Sequence, residues 1–341
     1  MQELSLRDAI MDTLTKKTIQ SARGFTYTYY VSPASSSKPT LLLLHGWPDH
    51  AALWKDLVTK HLVPAGFGVV APDCLGYDGT DKPTDLNAYN PRGLSDDFGE
   101  ILDAENLQKV VSCGHDWGAS LAQRFYVFHP ERCIGLITFN VAISLKPESV
   151  IELDKIGPMM TKLIGYFPLA YWYLFTDPVT GPELMSQHID SLFDALHAEP
   201  TVWMNTLCAR DGIKNWLEQD KKGPVQSYAT DAMRKDFITR MSRDGFAAPL
   251  SYYRATVEGI FFEEEKHLPA DRYTVKVPYL FVAGKQDAVC LAQAIERPKQ
   301  AGLTPKLTVE ELDVGHWSML TKPKEVGEIV VKWLENELLK T

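Results

Sequence analysis

The chain has 341 residues, 45 % of them hydrophobic, 23 % charged and 11 % aromatic, and a formal net charge of −9. This length exceeds what one compact core usually holds, so two domains or one large domain with an insertion are expected, and the composition excludes a disordered or fibrous chain. The acidic balance, without any cluster of Lys or Arg, argues against nucleic acid or an anionic membrane surface as partner and favours a neutral small molecule.

The first 17 residues are charged throughout and lack the apolar centre of a signal peptide, and the C-terminal LLKT is not a peroxisomal signal; the expected location is cytoplasmic. The 5 cysteines are odd in number and scattered, without CxxC spacing, and read as reduced thiols. In chain order, residues 25–31 alternate aromatics with Thr as in a half-buried strand, and SPASSSKP then makes a turn. The runs 40–44 (TLLLL), 69–71 and 110–113 are short, apolar and rich in β-branched residues, as are 134–139, 279–282 and 307–309. Several are separated by helix-length segments, which predicts an α/β fold: a mostly parallel, twisted sheet flanked by helices.

After Asn140 the strand–helix rhythm stops, and it resumes near Val275. The intervening Pro, Trp, Tyr and Met at helical spacing read as an inserted, mainly helical cap. Its most apolar run, 159–175, is broken by Lys162, Gly165 and Pro168 and falls short of the ~18 residues of a membrane span. It is expected to lie buried between domains, with no stable membrane insertion. The predicted division is core over 1–143, cap over 144–272 and core again over 273–341. From Pro323 onward, Val326, Ile329, Val330, Trp333 and Leu334 share one helical face that would close the flank of the sheet.

The chemistry centres on GHDWG, residues 114–118, between the strand VVSC and the helix-like ASLAQRFYVFH. Small residues permit the tight strand-to-helix turn of a nucleophile elbow, which lifts the middle side chain out of the sheet; here that side chain is Asp116 rather than Ser. HGWPD, residues 45–49, leaves the strand TLLLL where a loop can aim a backbone N–H at a developing oxyanion. Trp47 and Trp117 are therefore the candidate oxyanion donors. Pro48 fixes the loop, and His45, Pro48, Trp172 and Trp317 are candidate pocket residues, His45 more as a hydrogen-bonding scaffold than as a catalyst.

A carboxylate nucleophile makes an ester that stalls without a base to activate water, so a histidine and an orienting acid are required. DVGHW places His316 after the strand at 307–309, and AGKQD places Asp287 after the strand at 279–282. The order nucleophile, acid, base is that of α/β-hydrolases.

From about residue 40 to 333, HGWPD, APDCLGYDGTDKP (with Asp73, Gly76 and Gly79), GHDWGA, GKQDAVC and DVGHW together resemble the soluble epoxide hydrolases of the α/β-hydrolase superfamily. The resemblance implies an Asp nucleophile, an Asp–His pair, two cap tyrosines that hold the epoxide oxygen, a vicinal diol as product, and neither metal nor organic cofactor. PLSYYRA resembles the family's aromatic–Tyr–Arg motif and selects Tyr253. AYWYLFTDP resembles the segment of the first tyrosine and selects Tyr171, with Tyr166 and Tyr173 as competitors. Two residues depart from the common pattern: Trp47 stands where Phe is frequent, and Trp172 follows Tyr171 where an amide residue occurs. Both bear on the shape of the pocket. The expected ligand is a small apolar epoxide and the expected assembly a monomer or homodimer.

Three rival readings share the scaffold. A haloalkane dehalogenase would use the same Asp and following Trp, but it places Asn where Trp47 stands and does not need the tyrosine pair. A biosynthetic cyclase or lactone hydrolase is the second. A ligand-binding receptor without turnover is the third, against which the complete Asp116, Asp287 and His316 set argues.

Overall fold

The computed structural model describes residues 14–35 and 37–339, so the two terminal stretches read for targeting signals fall largely outside the described residues. Strands β1 (Thr15–Gln20), β2 (Thr26–Ser32), β3 (Thr40–Leu44), β4 (Gly68–Pro72), β5 (Val110–His115), β6 (Cys133–Phe139), β7 (Tyr279–Gly284) and β8 (Leu307–Leu312) form one 8-stranded sheet in the order β1-β2-β4-β3-β5-β6-β7-β8. β3 to β8 run parallel, and β1 and β2 pair antiparallel at one edge. All residues of β3, β4, β5 and β7 are buried. Such strands, covered on both faces, read as continuous apolar runs, and each fully buried Leu of TLLLL stabilises the fold by roughly 1.5–3 kcal/mol. β1 was not expected from the sequence. Its TKKTIQ is almost wholly exposed, a charged edge strand without the alternation that marks a half-buried one.

Helix α1 (Pro91–Ala104) precedes β5, and α2 (Trp117–Phe128) follows it directly. The C-terminal helix Pro323–Leu338 buries Val326, Val330, Trp333 and Leu334, as its periodicity predicts, while Ile329 is half-buried. A Cβ placed on Gly135 of β6 would touch Trp333 and Leu338, so this helix packs on the sheet.

Between β6 and β7 the described residues form helices, among them Leu153–Ile164, Thr180–Gln187, Ile189–His197, Gly212–Glu218, Asp231–Asp244 and Ser251–Val257. This segment rests on the loops that leave the carboxyl ends of the strands. Arg240 donates to the Pro48 carbonyl after β3, Tyr252 to the Leu75 carbonyl after β4, and Tyr166 to the Ala288 carbonyl after β7. His50 lies between Asp78 of the β4 loop (3.6 Å) and Asp236 of Asp231–Asp244 (3.4 Å). The apolar run 159–175 is only partly buried as expected: Phe167, Ala170, Trp172, Leu174 and Phe175 are covered, whereas Met159 and Leu163 are 61 % and 79 % exposed. The two lie four apart on one face of Leu153–Ile164, and that face points outward. No helix among the described residues is long and apolar enough to cross a membrane.

Candidate active site

Asp116 sits at the tip of the turn from β5 to α2 with φ 54° and ψ −123°. The flanking glycines are needed because the chain folds back on itself. A Cβ on Gly114 would stand 2.0 Å from the Gly118 carbonyl oxygen, and one on Gly118 would stand 1.9 Å from that of Leu44. With both glycines, the side chain of Asp116 is lifted from the sheet, and it makes no helix cap. Strained backbone of this kind costs on the order of 1–3 kcal/mol and persists only where the surroundings enforce it.

The Asp116 carboxyl is met from two sides. Its Oδ1 accepts the Trp47 N–H (2.8 Å), and the Trp117 N–H also bonds to the carboxyl. Its Oδ2 lies 3.6 Å from Nε2 of His316. The Nδ1–H of His316 donates to Oδ2 of Asp287 (2.7 Å). Asp287 is held in turn by the N–H groups of Val289 (3.0 Å) and Cys290 (2.9 Å) on Oδ1 and by the Asn140 side chain (3.0 Å) on Oδ2. Asn140, at φ 62° just after β6, also bonds the Gly315 carbonyl and Ser318, so one amide ties the acid to the loop carrying His316. The sequence reading passed over Asn140; its place directly after the strand-end ITF was the available signal.

Burial alone would raise the Asp116 carboxyl, but the nearby His316, with His115 and the Trp117 N–H, outweighs it and holds the group below its usual range. His316 shows the converse. Burial favours the neutral ring, yet the charge and hydrogen bond of Asp287, with the Asp116 carboxylate 3.6 Å away, hold the imidazole well above its usual value. Both shifts favour a carboxylate facing an imidazolium in the resting site. His115, pushed down to about 4 mainly by burial, is neutral and donates from Nε2 to the His316 carbonyl.

Tyr171 and Tyr253 both line a small cavity with Asp116 and His316. Their rings meet edge to face at 5.9 Å, and Tyr253 packs on Trp117 at 5.0 Å. Burial comes first in raising both phenols well above 10, and the negative charge of Asp116 adds to it; both keep their protons at neutral pH. The competitors are engaged elsewhere: Tyr166 bonds the Ala288 carbonyl, and Tyr173 bonds Asp154 under the Arg210 guanidinium.

Of the other pocket candidates, Trp317 lines the small cavity and donates from Nε1 to Asp49, and Trp172 lines a larger cavity that also reaches Asp116. Two candidates require correction. His45 touches neither cavity. Burial pushes its imidazole down to about 3, its Nδ1–H donates to the Gly46 carbonyl, and its Nε2 accepts the Cys74 N–H, so it joins the loops after β3 and β4. Pro48, behind a cis peptide bond, faces a separate cavity of about 380 Å³ with Asp49 and His50, because Trp47 is the loop residue turned toward Asp116.

Epoxide hydrolase B of Mycobacterium tuberculosis is 28% identical over 340 residues, covering 89% of this chain and 93% of that protein. Bifunctional epoxide hydrolase 2 of Rattus norvegicus is 28% identical over 308 residues, and the match spans about half (52%) of its length. The crystal structure of epoxide hydrolase A from Mycobacterium thermoresistibile superposes with a TM-score of 0.79 at 22% identity, covering 95% of this chain and 99% of that one. Residues 39–323 match the alpha/beta hydrolase fold family, and together with the parallel sheet and the elbow at Asp116 this match makes the chain a member of that family.

Proposed function

We propose that this protein hydrolyses epoxides to vicinal diols through an ester on Asp116, under a cap formed by residues 144–272. One observation carries the reading: the elbow presents a carboxylate, and two buried, protonated tyrosines line the same cavity. Epoxide opening expels a strongly basic alkoxide, and a phenol that stays protonated at neutral pH can donate to it. The names of the relatives agree with this reading.

Oδ2 of Asp116 attacks a ring carbon, the C–O bond of the ring breaks, and one of Tyr171 and Tyr253 gives its proton to the oxygen, leaving a tyrosinate and a neutral ester. Esterification removes the Asp116 anion that favoured the protonated His316, and the imidazolium passes its proton to the tyrosinate. His316, now neutral and oriented by Asp287, takes a proton from water as the water oxygen attacks the ester carbon. The N–H groups of Trp47 and Trp117 hold the oxyanion. When the tetrahedral centre collapses, the diol departs with the proton of the newly formed acid, and the carboxylate–imidazolium pair is restored.

A single turnover in ¹⁸O-water, followed by peptide mapping, tests this sequence of bonds. Label is expected in the carboxyl of Asp116 and not in the first equivalent of diol. Labelled diol with an unlabelled Asp116 would mean direct attack by water. The tyrosines are tested separately: Tyr253→Phe and Tyr171→Phe are each expected to lower kcat by about 10²-fold, and the double variant by more, with the ester-forming phase slowed. A double variant that forms ester at the normal rate would remove the phenols from the mechanism.

A further inference from the structure

Two cavities of very different size meet at Asp116. The larger, about 340 Å³, extends past Trp117, Ala142, Met160, Leu169, Trp172 and Phe261. The smaller, about 20 Å³, is lined by Trp47, Phe175, Leu196, Trp203, Leu207 and Trp317. Asp116, Tyr171 and Val289 line both, so the nucleophile stands at their junction, while His316 and Tyr253 line only the smaller. The small side does not continue into the cavity behind Pro48. The two have no lining residue in common, and Trp317, stacked 4.6 Å from the His197 ring, stands between them.

An epoxide held with its oxygen toward the two phenols and one carbon over Asp116 must direct the substituents of its two carbons to opposite sides. A space of about 20 Å³ holds roughly one water molecule, whereas pockets of several hundred Å³ take drug-sized ligands. The water that attacks the ester has to lie against His316, which is on the small side. A bulky second substituent would clash with the aromatic wall and also displace that water. The polar groups at the edge of the larger cavity are already engaged: Arg124 with Glu265 and Ser120, Asn140 with Asp287, and Ser144 with Gln123. That side offers apolar contact to a substrate.

Resting on the epoxide reading above, we infer that the protein is specific for terminal epoxides, with one bulky apolar group on one ring carbon and only hydrogen on the other. The small cavity is the water chamber of the second half-reaction, and Leu196, Leu207 and Trp203 are the residues that set this selectivity.

The test compares two isomers on the purified protein, the oxide of 1-octene and the oxide of trans-4-octene. The terminal isomer is expected to have a kcat/KM more than about 200-fold higher, beyond what one methylene confers and as expected for steric exclusion. Leu207→Ala, which widens the small side, is expected to raise kcat/KM for the trans-4-octene oxide by about 10-fold or more and to narrow the gap. Comparable kcat/KM values for the two isomers in the unmodified protein would overturn the inference and leave epoxide hydrolysis standing. Turnover of neither isomer, with no adduct on Asp116, would overturn the epoxide reading and the inference with it. A folded Leu207→Ala protein with an unchanged isomer ratio would remove Leu207 from the selectivity wall.

Discussion

Replacing His316 with Gln is expected to leave a protein that takes up one equivalent of epoxide and then stops. Gln can occupy the same space and donate to Asp287, but it cannot take a proton from water. Ester formation needs only Asp116 and the phenols, so it should proceed while turnover falls by at least about 10³-fold. Intact-protein mass spectrometry after addition of an epoxide should then show an adduct of the full substrate mass on Asp116. A folded variant without adduct would count against covalent catalysis. The charge state of the unmodified site gives a matching pH dependence. Asp116 is held below its usual range and stays ionised through the neutral region, so alkylation should be nearly independent of pH there. Hydrolysis requires neutral His316. In the free protein the imidazole is held well above its usual value by Asp287 and by the Asp116 carboxylate beside it. In the ester the Asp116 contribution is lost, so the relevant pKa lies lower, and hydrolysis should rise with pH through that lower value. Rapid-quench measurements should therefore find more accumulated ester as the pH falls; loss of the alkylation step instead would contradict the assignment.

Asp116→Asn is expected to lower kcat by about 10⁴-fold or more, because the amide keeps the shape and the Trp47 contact but has no anionic oxygen to attack carbon. The same variant imitates the charge of the ester, since its side chain is neutral. The His316 ring should consequently titrate at lower pH than in the unmodified protein, a shift that proton NMR of the imidazole can follow. Retention of more than about one hundredth of the turnover would displace Asp116 as nucleophile. An unchanged His316 titration would remove the charge-coupling step from the proposed cycle.

How much of this could be read in the chain differs from residue to residue. The parallel sheet was legible because strands buried on both faces leave unbroken apolar runs, as TLLLL does. The elbow was legible because its turn permits only glycine at 114 and 118, a constraint written in the sequence itself. Trp47 was legible as a donor because the chain leaving β3 must pass the end of β5 beside it. β1 was not legible, since an exposed, charged edge strand carries no alternation. His45 and Pro48 were drawn into the pocket by their proximity in sequence to Trp47, but within a tight loop neighbouring side chains point in different directions, and these two face away from Asp116.

The sequence by itself determined the α/β architecture, the elbow, and the order of Asp116, Asp287 and His316, because each depends on local backbone chemistry or on the succession of strands. Only the tertiary structure decided which of three nearby tyrosines turns inward, that Asn140 joins Asp287 to the His316 loop, and that the space at Asp116 is large on one side and small on the other. Those outcomes arise from side chains far apart in the chain, such as Trp47, Leu207 and Trp317, converging on one point. No pattern within a single segment specifies how such side chains meet.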